Sequence, residues 1–182
     1  NAALKAGWWS DRPKEIAVMR DQLRRIAGNT VGVFGLGSIG KGFANRVRGF
    51  GPEKIIAYDP YVPQTTADLV GVQMVDFNTL LAESDYLTVH SPATAETNHI
   101  FNIDAFRKMK PTAVFINCAR GPIVDEAGLQ EALQTGEIIA AGIDVTEQEP
   151  LDAESPLFKL DNLTISPHVA GTSDISGIAG AT

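Results

Sequence analysis

The stretch Val31-Gly32-Val33-Phe34-Gly35-Leu36-Gly37-Ser38-Ile39-Gly40 decides how this chain folds. It opens on the apolar run Val31–Phe34, the composition of a strand covered on both faces. Gly35, Gly37 and Gly40 then stand in G-x-G-x-x-G spacing, ahead of a segment of helical character from Ser38 to about Phe50 that stops at Gly51-Pro52. A glycine hexapeptide alone is an ordinary turn; between a strand and a helix it is a phosphate cradle. Gly35 permits the tight turn, Gly37 lets the backbone approach a pyrophosphate, and Gly40 allows close packing of helix on strand. The helix N-terminus offers unpaired N–H groups and a positive dipole end to the anion.

The next apolar run, Ile55-Ile56-Ala57-Tyr58, ends at Asp59, 19 residues beyond Gly40. A carboxylate there hydrogen-bonds the adenosine ribose diol of NAD and repels the 2′-phosphate of NADP. Pro60 and Tyr61 follow it rather than an arginine. The plainer reading of Asp59 is a turn-forming Asp-Pro at a strand end. Taken with the glycine loop, it predicts NAD as cofactor.

Outward from this pair, short apolar runs alternate with helical patterns, the rhythm of βαβ units and a parallel sheet. Strands are expected at Val31–Gly35, Ile55–Asp59, Tyr86–His90, Ala113–Asn117, Ile138–Val145 and Leu163–Ser166. Asn102 and Asp125 are expected to cap helices ending before Pro111 and at Gly136. A mixed-charge helix from roughly Pro13 to Ala27 leads into the first strand. The fold class is α/β, a doubly wound parallel sheet of the Rossmann type. Three regions are expected: a leading segment 1–30 that packs on the domain or on a dimer partner, the nucleotide-binding domain 31–170, and a tail 171–182.

Composition narrows the function. The chain has 182 residues, 44% hydrophobic and 20% charged, enough for one well-cored domain. A net charge of −7 with no basic stripe argues against nucleic acid as a partner. Cys118 is the single cysteine, so an internal disulfide is impossible and no metal site is expected. No run of about eighteen apolar residues exists to cross a membrane. A cytoplasmic setting fits these features. The chain begins at Asn1 without a methionine or leader, which suggests a piece of something longer.

Three further polar groups fall at predicted strand ends, on the rim where ligands bind in such sheets. Arg120 lies in Asn117-Cys118-Ala119-Arg120-Gly121. Asp144 and Glu149 lie in Asp144-Val145-Thr146-Glu147-Gln148-Glu149-Pro150, and His168 ends Ser166-Pro167-His168. An arginine, an acid and a histidine on one rim could act as carboxylate anchor, orienting acid and proton carrier.

With these segments, and with Gly7-Trp8 and His90-Ser91-Pro92, the chain resembles the D-isomer-specific 2-hydroxyacid dehydrogenases over nearly its whole length. The resemblance implies that Arg120 holds the carboxylate and carbonyl of a 2-hydroxy or 2-keto acid and that His168 exchanges the hydroxyl proton. Glu149 would orient the imidazole and favour its protonated form. Asp144 would contact the nicotinamide carboxamide, Ser38 and Ile39 would lie at the pyrophosphate, and Pro92 and Ala119 would line the cofactor cleft. It also implies a homodimer, with the region around Trp8-Trp9 packed on the partner. Members of this family carry a second domain that grips the substrate from the opposite side. Here the chain ends 14 residues after His168, so that domain is expected to be absent.

Cys118 is expected to be a packing residue, His90 has no firm role, and His99 is expected at the surface. Two rival functions differ in class. An NAD-sensing binding module of the C-terminal-binding co-repressor type shares the fold and the Arg/Glu/His set. An S-adenosylmethionine methyltransferase shares the glycine loop and strand-end acid but leaves Arg120, Glu149 and His168 unexplained. A formate dehydrogenase is expected to have glutamine where this chain has Glu149.

Overall fold

The computed structural model describes residues 7, 11, 12, 14 and 23–171. Seven strands form one sheet: β1 (Thr30–Phe34), β2 (Lys54–Tyr58), β3 (Gln73–Met74), β4 (Tyr86–Val89), β5 (Val114–Asn117), β6 (Ala140–Ile143) and β7 (Leu163–Ile165). Their order is β3-β2-β1-β4-β5-β6-β7, and every pairing is parallel. The order reverses direction between β1 and β4, which opens a crevice above their C-terminal ends.

Helices α1 (Ser38–Val47), α2 (Gln64–Asp68), α3 (Phe77–Glu83), α4 (Ile103–Phe106) and α5 (Glu126–Thr135) cover the two faces. Side chains alternate across a strand, so neighbours in β1 and β2 feed opposite cores. Val31, Val33, Ile55 and Ala57 meet Ala44 and Val47 of α1 in one core. Phe34 and Ile56 meet Leu80, Phe106 and Leu129 in the other. Phe101 is fully buried in the second, its ring centroid 5.0 Å from those of Phe34 and Phe115.

The expected caps are present. Asn102 accepts from the Ala105 N–H, Asp125 accepts from the Ala127 N–H, and α5 stops at Gly136 with φ 78°. Other expectations shift. The first helix gives way at Val47 to a 3₁₀ turn, Arg48–Phe50, closed by Gly51 at φ 68°. The strand expected at Ile138–Val145 shortens to Ala140–Ile143. Leu23–Arg25 have no regular structure and Ile26–Gly28 form a bend and turn, so the leading helix does not reach Ala27. Most of that expected helix, the Trp8-Trp9 pair and the tail beyond Gly171 lie outside the described residues.

Candidate active site

The glycine loop joins β1 to α1 under tight steric limits. Gly35 has φ 91°, and a Cβ there would lie 2.9 Å from the His90 backbone at the end of β4. A Cβ on Gly40 would lie 2.1 Å from the Gly35 carbonyl oxygen, so a side chain would push α1 off the loop. Gly37 is the N-cap of α1, and no side chain caps the helix. Lys41 donates to the Gly37 carbonyl (2.9 Å), leaving the N–H groups of Ser38, Ile39 and Gly40 ahead of the helical ladder. Ile39 is 71% exposed, so this helix start is open.

Asp59 follows β2 and ties the loop down. Its Oδ2 accepts from the Leu36 N–H (2.8 Å) and its Oδ1 from the Tyr61 N–H (2.9 Å). Each carboxylate oxygen retains a lone pair for a further donor. The loop and Asp59 open into a cleft of about 490 Å³ whose walls include Gly35, Gly37, Asp59 and Pro92. Open glycine backbone, an uncapped ten-residue helix and a strand-end carboxylate fit a dinucleotide. Ala119 is half-buried outside the lining of this cleft.

The rim over β5, β6 and β7 is held by backbone bonds between strand ends. Asp144 N–H donates to the Asn117 carbonyl (2.9 Å), Ser166 N–H to that of Ile143 (3.0 Å), and His168 N–H to that of Asp144 (2.8 Å). Asn117, 1% exposed, grips the arginine loop from both sides. Its amide donates to the Arg120 carbonyl (3.0 Å) while its Oδ1 accepts from the Ala119 N–H (3.0 Å). Arg120 is exposed, with one guanidinium N–H on the Ala119 carbonyl (2.6 Å). Gly121 lets the neighbouring loop close in, for a Cβ there would stand 1.9 Å from the Thr146 carbonyl oxygen.

Glu149 and His168 are brought together. His168 Nδ1 lies 2.7 Å from Glu149 Oε2, and Glu149 Oε1 accepts from the Thr146 N–H (3.2 Å). The His168 hydrogen bond, aided by that of Thr146, holds the Glu149 carboxyl below its ordinary range. The acid is therefore ionised at neutral pH and only accepts, which places the shared proton on Nδ1. Nε2 makes no hydrogen bond among the described residues. His168 sits at φ 53° in the left-handed region, held there by the bond from its own N–H to Asp144. The pair borders a second cleft of about 370 Å³, with Asp144 and Ser166 in its wall.

Asp144 is buried and anchors the segment around His168. It accepts from Ser166 Oγ (2.5 Å) and from the N–H groups of Val169 (2.9 Å) and Ala170 (2.8 Å). Burial alone would raise its pKa, but these hydrogen bonds outweigh that and hold the carboxyl below the usual range. The described contacts of its carboxylate are thus to the chain itself.

Sequence reasoning missed Asn117 as a site residue. Its signal was a polar side chain closing an otherwise apolar strand. It also missed the role of Glu147, which exchanges hydrogen bonds with Glu126 (Glu126 N–H to Glu147 Oε1 3.0 Å; Glu147 N–H to Glu126 Oε1 2.6 Å). The partly exposed His99 meets Glu147 at 2.9 Å. His90 lines the larger cleft, and burial pushes its pKa down. Cys118 is exposed rather than packed in the core, against expectation; partial desolvation, with Asp144 nearby, still pushes its thiol up, away from the thiolate that a nucleophile needs.

Comparison with known proteins agrees with this geometry. Residues 1–170 match the family described as D-isomer specific 2-hydroxyacid dehydrogenase, NAD binding domain. D-3-phosphoglycerate dehydrogenase of Archaeoglobus fulgidus is 42% identical over 171 residues, which are 94% of this chain and 31% of that protein. Glyoxylate reductase of Korarchaeum cryptofilum is 41% identical over 148 residues, 81% of this chain and 44% of that one. A crystal structure of the NAD-complexed D-isomer specific 2-hydroxyacid dehydrogenase from Lactobacillus delbrueckii ssp. bulgaricus superposes with a TM-score of 0.72 at 34% identity. That match covers 82% of this chain and 48% of that one. The chain thus spans about a third to a half of the length of the relatives it matches. It belongs to the D-isomer specific 2-hydroxyacid dehydrogenase family, of which it is the NAD-binding domain.

Proposed function

We propose that this chain is the cofactor half of an enzyme that interconverts a D-2-hydroxy acid and its 2-keto acid, with 3-phosphoglycerate as the first substrate to try. The observation that carries the reading is the 2.7 Å contact between Glu149 and His168 on the rim, beside the loop that bears Arg120. The substrate choice draws on the Archaeoglobus relative, named for D-3-phosphoglycerate.

The chemistry supplied at the cleft when NAD is bound is uptake of a hydride from the carbon that carries the hydroxyl. The protein's part is positioning and proton movement. With Nδ1–H engaged by Glu149, Nε2 of His168 is the lone-pair nitrogen, able to accept the hydroxyl proton in oxidation and to return it in reduction. Positive charge then develops on the imidazole, and the Glu149 carboxylate stabilises it. Arg120 keeps one N–H on Ala119 and presents the rest of its planar fork to a substrate carboxylate. Ser38, Ile39 and the loop glycines hold the pyrophosphate, and Asp59 holds the ribose diol. Asp144 fixes the backbone on which His168 stands.

The test is NADH-dependent reduction of glyoxylate, hydroxypyruvate and 3-phosphohydroxypyruvate by the complete dehydrogenase that contains this chain. Turnover of at least one is expected, and Arg120→Ala should lower kcat/KM on it by 10²-fold or more, on the order of 3 kcal/mol of lost charge-assisted binding. Absence of turnover across the panel, or an Arg120→Ala variant with kcat/KM unchanged, would contradict the reading.

A further inference from the structure

The larger cleft carries a second carboxylate. Glu96 lines its mouth together with Asp59, although the two lie 37 positions apart in sequence. Tyr61 links them. Its backbone N–H donates to Asp59 Oδ1 (2.9 Å) and its hydroxyl donates to Glu96 Oε2 (2.8 Å). Tyr61 is 78% exposed, so the ring spans the opening rather than packing in the core. A large aromatic side chain left in solvent and aimed at one acid is held by that acid. The hydrogen bond from the phenol to Glu96 also raises the Tyr61 pKa, so the hydroxyl keeps its proton and stays a donor.

The rest of the lining supplies no counter-charge. No lysine or arginine stands among the described residues of the cleft wall. His90 is the one basic side chain there, and its burial favours the neutral imidazole. The mouth therefore presents two carboxylates without a cation. An uncharged ribose diol can donate to such a site, whereas an added phosphate dianion meets two like charges.

We propose that Glu96, held over the cleft by the Tyr61 hydroxyl, is a second cofactor-selecting residue that acts with Asp59 to exclude a 2′-phosphorylated dinucleotide. The proposal rests on NAD occupying this cleft. It implies that selectivity is shared, so removal of Asp59 alone leaves part of it in place. It also gives Tyr61 a positioning role, since an untethered Glu96 can swing into solvent.

The test is calorimetric titration of the chain with NAD and with NADP, read as the ratio of the two Kd values. Glu96→Gln keeps size and hydrogen bonding but removes the charge, and its exposed position leaves the core untouched. It is expected to lower the NADP-to-NAD ratio about 3- to 10-fold while NAD affinity stays within about twofold. Tyr61→Phe should shift the ratio in the same direction by less. Asp59→Ala should lower the ratio without erasing it, and the Asp59→Ala, Glu96→Gln double variant should bring it near one. Glu154→Gln, an equal charge change at an exposed site outside the cleft lining, should leave the ratio alone. A Glu96→Gln ratio within twofold of the unsubstituted chain would overturn the proposal, as would an equal shift in Glu154→Gln. Failure of the unsubstituted chain to bind NAD would overturn the cofactor reading as well, a distinct outcome of the same titration.

Discussion

Asp144 shows how one side chain ties folding to the site. It is buried yet ionised because three donors converge on it, from Ser166, Val169 and Ala170. An acid whose folded pKa lies below its unfolded value, about 3.9, contributes stability above that value and loses it as pH falls through the depressed one. Asp144→Asn removes this linkage and leaves buried N–H donors without their carboxylate. Thermal melts from neutral pH down to about pH 3 should show the variant less stable at pH 7 by about 1–3 kcal/mol, with a shallower loss on acidification. Parallel acid limbs in the two proteins would remove the stabilising role given to this carboxylate.

At the scale of elements, the site depends on how closely the loops after β5 and β6 abut. Gly121 is a point of close approach, and a Cβ there overlaps the Thr146 backbone. Gly121→Ala should force the loops apart, cost about 1–3 kcal/mol in denaturant unfolding, and shift the loop that bears Arg120. Unchanged stability would mean that the loops have slack. The same scale shows what could be read in advance. β1, β2, the glycine loop and the caps Asn102 and Asp125 were legible because long apolar runs and capping residues are local signals. β3 escaped notice because two residues, Gln73 and Met74, carry no periodicity; their strand exists through pairing with Ile56 and Ala57. The seven-residue α3 also went unread, although Asp76 with Thr79 three positions on is a local cap signal. Ile138 and Ile139 are apolar and adjoin β6, yet they lie before its first pairing, so composition overstated the strand. Glu149 and His168 were legible from their places at predicted strand ends and from resemblance, but the geometry of the pair was not. That geometry depends on the β6 and β7 loops meeting in space, which no local pattern encodes.

For the whole molecule, two expectations concern what surrounds the domain. Trp8-Trp9 is a large adjacent apolar pair, and we expect the chain to pair two-fold through that region. Light scattering at tens of micromolar should give a dimer mass that falls to a monomer when residues 1–12 are removed; a monomer from the outset would contradict this. Catalysis asks more than this domain offers. Hydride transfer needs substrate about 3–3.5 Å from the nicotinamide with water excluded, an alignment that accounts for roughly 7–11 kcal/mol of barrier. The rim of β5 to β7 provides one wall of that enclosure, so this chain alone should bind NADH but reduce 2-keto acids negligibly. The most direct measurement is kcat for NADH-dependent 2-keto acid reduction by the complete dehydrogenase, compared with its His168→Ala variant. If His168 carries the proton, kcat falls by about 10²- to 10⁴-fold while NADH affinity is retained; a kcat within about twofold of the unsubstituted enzyme would contradict the account.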